Sequence, residues 1–122
     1  MHQKNRFLFF TNCIFVSVVC SADSQNSFGP KIFSSEIYTA VLVAYEPEMF
    51  GLLEAIETDP NAELLDEYTF KGIKFRTGLY RNKPILVFAT GMSIANAAMS
   101  TQMALDYFPV QQLIYMGIAG AV

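Results

Sequence analysis

PILVFATGMSIANAAMSTQMALDYFPVQQLIYMGIAG, residues Pro84 to Gly120, reads as one strand–turn–helix–strand unit. Ile85 to Ala89 is a short apolar run, too short for a helix and suited to a buried strand. Thr90-Gly91-Met92-Ser93 follows as the turn. Gly91 reaches backbone angles closed to other residues, and Ser93 is a good helix N-cap. Ile94, Ala97, Ala98, Thr101, Leu105 and Phe108 then recur at helical spacing, and Pro109 marks the helix end. Leu113 to Met116 is a second apolar run, and Gly117-Ile118-Ala119-Gly120 turns out of it. Two buried strands joined by a helix form a parallel, right-handed crossover. Ligands of such sheets sit in the crevice beyond the carboxyl ends of the strands, the edge to which both glycine turns belong.

Upstream, Tyr38 to Ala44 (YTAVLVA) is β-branched and almost continuously apolar, as expected of a central strand buried on both faces. Tyr45-Glu46-Pro47-Glu48 comes next, and Pro47 suits the first turn of a helix. Met49, Leu52, Leu53 and Ile56 fall on one helical face, and Thr58 to Asn61 ends the helix. Residues 62 to 68, with Glu63, Asp66 and Glu67, read as a solvated connector. Thr69 to Phe75 and Thr77 to Tyr80 read as strand with Gly72 and Gly78 as breaks, and Arg81-Asn82-Lys83 turns the chain into the Ile85 strand as an antiparallel hairpin. The order β-α-β-β-α-β predicts an α/β layer with a mixed sheet.

Residues 1–22 read as an export signal and are set aside before the fold is considered. Lys4 and Arg6 give a positive start, Phe7 to Cys20 is a largely apolar run, and Cys20-Ser21-Ala22 offers small residues for cleavage. That run is shorter than the roughly 20 residues a membrane-spanning helix needs. An uncleaved N-terminal anchor or a hydrophobic tail are other readings of the same stretch, and Cys20 as a lipid-attachment cysteine is disfavoured by the bulk of Val19 before it. Residues 23–36 form a polar linker, and 37–122 the folded part. The protein is therefore expected to be exported, periplasmic or secreted, with no stable membrane association once the signal is removed. The sequence stops two residues past Gly120, at a helix-entry position, which leads to the expectation of a truncated domain.

The 122 residues are 52% hydrophobic and 16% charged, enough for a packed core and against disorder. Loss of Lys4 and Arg6 takes the basic residues from 8 to 6 against 11 acidic ones, a net charge of −5. No basic block exists, so nucleic acid is not expected as a partner. The only histidine, His2, and both cysteines, Cys13 and Cys20, lie in the leader. A His-dependent triad and a His- or Cys-ligated metal site are thereby excluded from the mature part, and no cofactor is implied.

Glu48 is the strongest candidate for chemistry. It follows a buried strand directly, in the first turn of a helix, where the helix dipole favours a carboxylate; an ordinary helix-start acid would look the same. The turn Thr90-Gly91-Met92-Ser93 exposes backbone N–H groups at a helix start, as an anion or hydroxyl site or as a plain connection. Asn96 is placed to brace that turn. Tyr45 is placed to stack on a base or to pack. Met99, Met103 and Met116 read as core filler.

Three blocks carry a resemblance. Val41-Leu-Val-Ala-Tyr-Glu-Pro-Glu-Met49, Ala89-Thr-Gly-Met-Ser-Ile-Ala-Asn-Ala-Ala-Met99 and Ile114-Tyr-Met-Gly-Ile-Ala-Gly-Ala121 resemble, in order and spacing, the nucleoside phosphorylase/nucleosidase superfamily, and within it the 5′-methylthioadenosine/S-adenosylhomocysteine nucleosidases. The resemblance implies a three-layer α/β/α fold of the phosphorylase/hydrolase type, a purine nucleoside as small-molecule partner, cleavage of its N-glycosidic bond, and a homodimer when complete. It matches Glu48 to the glutamate that holds the attacking water. Ala44, Tyr45, Thr90, Gly91, Met92, Ile118, Ala119 and Gly120 match substrate-binding positions. Ser93 and Ile94 stand where those nucleosidases commonly have Gly and Lys, and the purine-protonating aspartate and second ribose-binding glutamate of the family have no counterpart here. A secreted storage or nucleoside-binding protein is the non-catalytic alternative within the same superfamily. Between hydrolysis and phosphorolysis, Glu46 and Glu48 would repel phosphate, and residues 84–122 contain no Lys or Arg, so hydrolysis is expected.

Overall fold

The computed structural model describes residues 13–15, 18–21 and 36–120. The proposed cleavage point after Ala22 and most of the linker lie outside these residues. In chain order the elements are β1 (Cys13–Phe15), β2 (Val18–Ser21), β3 (Tyr38–Val43), α1 (Glu46–Thr58), β4 (Ala62–Phe70), β5 (Ile73–Tyr80), β6 (Lys83–Ala89), α2 (Ile94–Tyr107), β7 (Val110–Met116) and β8 (Ile118–Gly120).

Six strands form one mixed sheet in the order β2-β7-β3-β6-β5-β4. The centre is parallel: β3 pairs with β6 on one side and β7 on the other. The flanks are antiparallel, with β5 on β6, β4 on β5 and β2 on β7. β3 therefore lies between the two strands that α2 connects. β1 and β8 form a separate antiparallel pair.

Alternation along the central strands sorts their side chains to two faces. Ala40, Leu42, Leu86 and Phe88 join Met103, Ala104 and Phe108 at the α2 end in one core. Val43, Ile85 and Val87 join Met49 and Ile56 of α1 in the other. This is the expected three-layer α/β/α arrangement.

Residues 62–68 are not a connector; they are most of β4. The reason is a bulge. Leu64 pairs with Gly78 but Glu67 pairs with Arg76, so Leu65 and Asp66 share one partner position. The extra residue reverses the phase of the strand. Ala62 and Leu64 serve the α1 face before it, and Tyr68 and Phe70 serve the α2 face after it. Gly78 is not a break either. It is internal to β5, and a Cβ there would collide with the backbone carbonyl of Glu63 on β4.

The buried residues of α2 are Ser100, Met103 and Ala104, whereas Ile94 is 90% exposed and Ala98 and Met99 are exposed. A serine can occupy the core position because its hydroxyl donates back to the Asn96 carbonyl at 2.6 Å, within the helix.

Among the described residues no helix is long and apolar enough to cross a membrane.

Candidate active site at the carboxyl edge of the parallel strands

The register at the centre of the sheet builds the site. Val43, the last residue of β3, pairs with Ala89, the last of β6, and with Met116, the last of β7. The segments that follow therefore leave the sheet side by side: Ala44 to Glu48, Thr90 to Ser93, and Gly117 onward. The Thr90 amide donates to the Val43 carbonyl at 2.8 Å and ties the first two together.

Tyr45 is the N-cap residue of α1. Its side chain makes no capping bond and is 50% exposed, while its carbonyl accepts from the amides of Glu48 (3.0 Å) and Met49 (3.3 Å). Pro47 in the first turn needs no amide partner there. This geometry holds Glu48 in the first turn, with its side chain half-buried. Oε2 of Glu48 is buried and, among the described residues, has no hydrogen-bond partner. Buried carboxylate oxygens are costly without a donor, so this atom is placed to receive one.

The Thr90–Ser93 turn is tightly built. Thr90 is buried, and its hydroxyl donates to the Gly91 carbonyl at 2.9 Å. Gly91 has φ of 81°, and a Cβ there would come within 3.3 Å of the Asn96 amide nitrogen. Glycine meets both conditions without strain. Asn96 braces the turn as expected: its side chain donates to the Met92 carbonyl at 2.8 Å, and its backbone amide donates to Ser93 Oγ at 3.2 Å. Ser93 itself has φ of 116°, which costs a non-glycine residue about 1–3 kcal/mol. This is the position where the resemblance leads one to expect glycine. Met92 is exposed, at the mouth of the turn.

Two expectations change at this edge. Ile118–Gly120 is a strand paired with Cys13–Phe15, not an open turn. An apolar partner edge is available from the segment read as leader, and Val18–Ser21 likewise occupies the outer edge of β7. The crevice is also not purely acidic. A cavity of about 350 Å³ beside Thr90 and Gly91 is lined by Glu46 and Phe50 of α1 and by Gly72, Lys74 and Arg76 of the β4–β5 hairpin. The basic residues lie far from Thr90 in sequence, and antiparallel pairing of β5 on β6 brings them close. Among the described residues no group of His, Cys, Asp and Glu is arranged to hold a metal.

Known proteins resemble parts of this chain. The family model described as the phosphorylase superfamily matches residues 38–122, from the start of β3 onward. A 5′-methylthioadenosine/S-adenosylhomocysteine nucleosidase of Bacillus pumilus (strain SAFR-032) is 39% identical over 81 residues, covering 66% of this chain and 32% of that protein. The chain thus spans about a third of the length of the curated relative it matches. Among solved structures, the native futalosine hydrolase of Helicobacter pylori strain 26695 aligns with a TM-score of 0.49 at 21% identity, over 59% of this chain and 30% of that one. Helicobacter pylori MTAN aligns at 0.47 and 22%, over 56% and 28%. With the model covering all three strand-end segments that meet at the candidate site, this chain belongs to the phosphorylase superfamily.

Proposed function

We propose that the complete protein hydrolyses the N-glycosidic bond of a purine nucleoside such as 5′-methylthioadenosine or S-adenosylhomocysteine, with Glu48 holding the attacking water. The observation that carries this reading is the buried, unpartnered Oε2 of Glu48 at the edge where the three family blocks meet. The 39% identical nucleosidase supports the reaction class.

In this reaction the C1′–N9 bond breaks and the purine leaves with the electron pair, taking up a proton. Positive charge builds on the sugar, as in other glycoside cleavages. The water oxygen bonds to C1′ and gives up a proton. A carboxylate oxygen with an open acceptor site orients that water and takes the proton. Thr90, Gly91 and Met92 are assigned to the adjacent wall, where Gly91 and a braced backbone let the sugar and its 5′ substituent approach.

Adenine release from methylthioadenosine by the complete protein, with and without phosphate, tests the reading. Glu48→Gln keeps the size and removes the charge, and should lower turnover by about 10²-fold or more. Glu54→Gln, on the exposed side of the same helix, is the control. Normal turnover by Glu48→Gln would overturn the role of Glu48. Release that requires phosphate would make the protein a phosphorylase. Nucleoside binding without adenine release in either buffer would make it a binding or storage protein.

A further inference from the structure

The cavity between α1 and the β4–β5 hairpin holds a charge pattern that the hydrolytic chemistry does not use. Lys74 and Arg76 alternate on β5 and project to the α1 face, the side on which Val87, the ladder partner of Arg76, packs with Val43 and Met49. A guanidinium on a face otherwise lined by aliphatic groups is costly unless it has charged partners. Arg76 is only 19% exposed, and Glu67 supplies one partner, with Nε to Oε2 at 2.9 Å. The same carboxylate lies 3.6 Å from Lys74 Nζ. One carboxylate between two cations leaves positive charge on this wall. The opposite wall carries Glu46, and Phe50, 66% exposed, lines the space with them.

A cation wall facing a carboxylate wall across an exposed ring matches a zwitterion on an apolar stem. A bare phosphate would satisfy Lys74 and Arg76 but would meet Glu46. A neutral alkyl group would cover three charges and satisfy none of them. We propose that this cavity is a specificity subsite for the 5′ substituent, in which Arg76 and Lys74 take the carboxylate and Glu46 the ammonium of an α-amino acid carried by the nucleoside. The position beside Thr90 and Gly91 puts the subsite next to the proposed sugar wall. The assignment rests on the nucleosidase reading above and goes beyond it by selecting between substrates.

S-adenosylhomocysteine and methylthioadenosine share the adenosine and the thioether and differ in the amino-acid tail, so the ratio of their kcat/KM values reads the subsite. In the complete protein the ratio should favour S-adenosylhomocysteine. Lys74→Gln, Arg76→Gln and Glu46→Gln should each lower it by about three- to tenfold through KM, the scale of one partly exposed charge-assisted hydrogen bond. Lys74 is 58% exposed on its side chain, so its replacement keeps the fold even if Arg76→Gln does not. A ratio near one, or a preference that survives the Lys74→Gln/Arg76→Gln pair in a folded protein, overturns the proposal while leaving nucleosidase activity intact. Inorganic phosphate that accelerates cleavage, with acceleration lost in that pair and no tail preference, reassigns the cavity to phosphate. Turnover of neither nucleoside removes the underlying reading, and the subsite with it.

Discussion

The α2 face of the sheet is filled with rings, whereas the α1 face keeps open space. On the α2 side Phe75 and Phe88 pack at 5.0 Å between centroids, Tyr38 meets Phe108 edge-on at 6.0 Å, and Phe70 stacks on Tyr107 at 4.4 Å. On the α1 side the apolar cluster is smaller and mostly aliphatic. That side also borders the cavity beside Thr90 and a second, mainly apolar groove of about 400 Å³ along Val41, Leu52, Ile114 and Met116. The same strands supply both faces. One face therefore serves stability, and the candidate chemistry sits on the face whose packing leaves room for a ligand.

The largest expected effect breaks the filled face. Phe108 is fully buried and touches rings from β3, β4 and β5. Phe108→Ala should cost about 3–5 kcal/mol, measured by denaturant unfolding of the complete protein. A cost under about 1 kcal/mol would mean that the rings are not a tightly packed core.

A smaller effect comes from pH. Burial, helped by the nearby charge of Glu36, raises the Tyr38 phenol above its ordinary value of 10.0. The folded state then holds this proton to higher pH than the unfolded chain does. The contribution is complete below pH 10 and is lost as pH rises through the folded-state value. The melting temperature should fall more steeply above pH 10 in the wild type than in Tyr38→Phe; identical slopes would remove Tyr38 from the filled face as a titrating group.

The smallest effect belongs to the open face. Ile114 lies half-buried along the groove, and Ile114→Thr keeps the β-branched shape. The expected change in unfolding free energy is about 1 kcal/mol or less, the scale of losing one partly buried aliphatic carbon. A loss as large as that of Phe108→Ala would show that the groove is covered in solution.

Local signals carried most of the elements. The strand runs at Tyr38 and Ile85, the Pro47 helix start, the Ser93 cap and the Asn96 brace are all short-range patterns, and each is found where the residues place it. β4 was hidden because its bulge reverses the alternation between Leu64 and Glu67, so no single period describes it. The buried face of α2 departs from its apolar pattern because Ser100 satisfies its own hydroxyl inside the helix and can replace an apolar residue.

Sequence by itself determined the pieces of the candidate site: a carboxylate after β3 and a glycine turn after β6, because strands, caps and turns depend on residues within a few positions. Only the tertiary structure decided that these pieces meet, through the β7-β3-β6 order, and that Lys74 and Arg76 arrive beside Thr90. Strand order and ladder register join residues dozens of positions apart, and no local propensity specifies which buried strand pairs with which. The net burial and hydrogen bonding of the whole sheet make that choice.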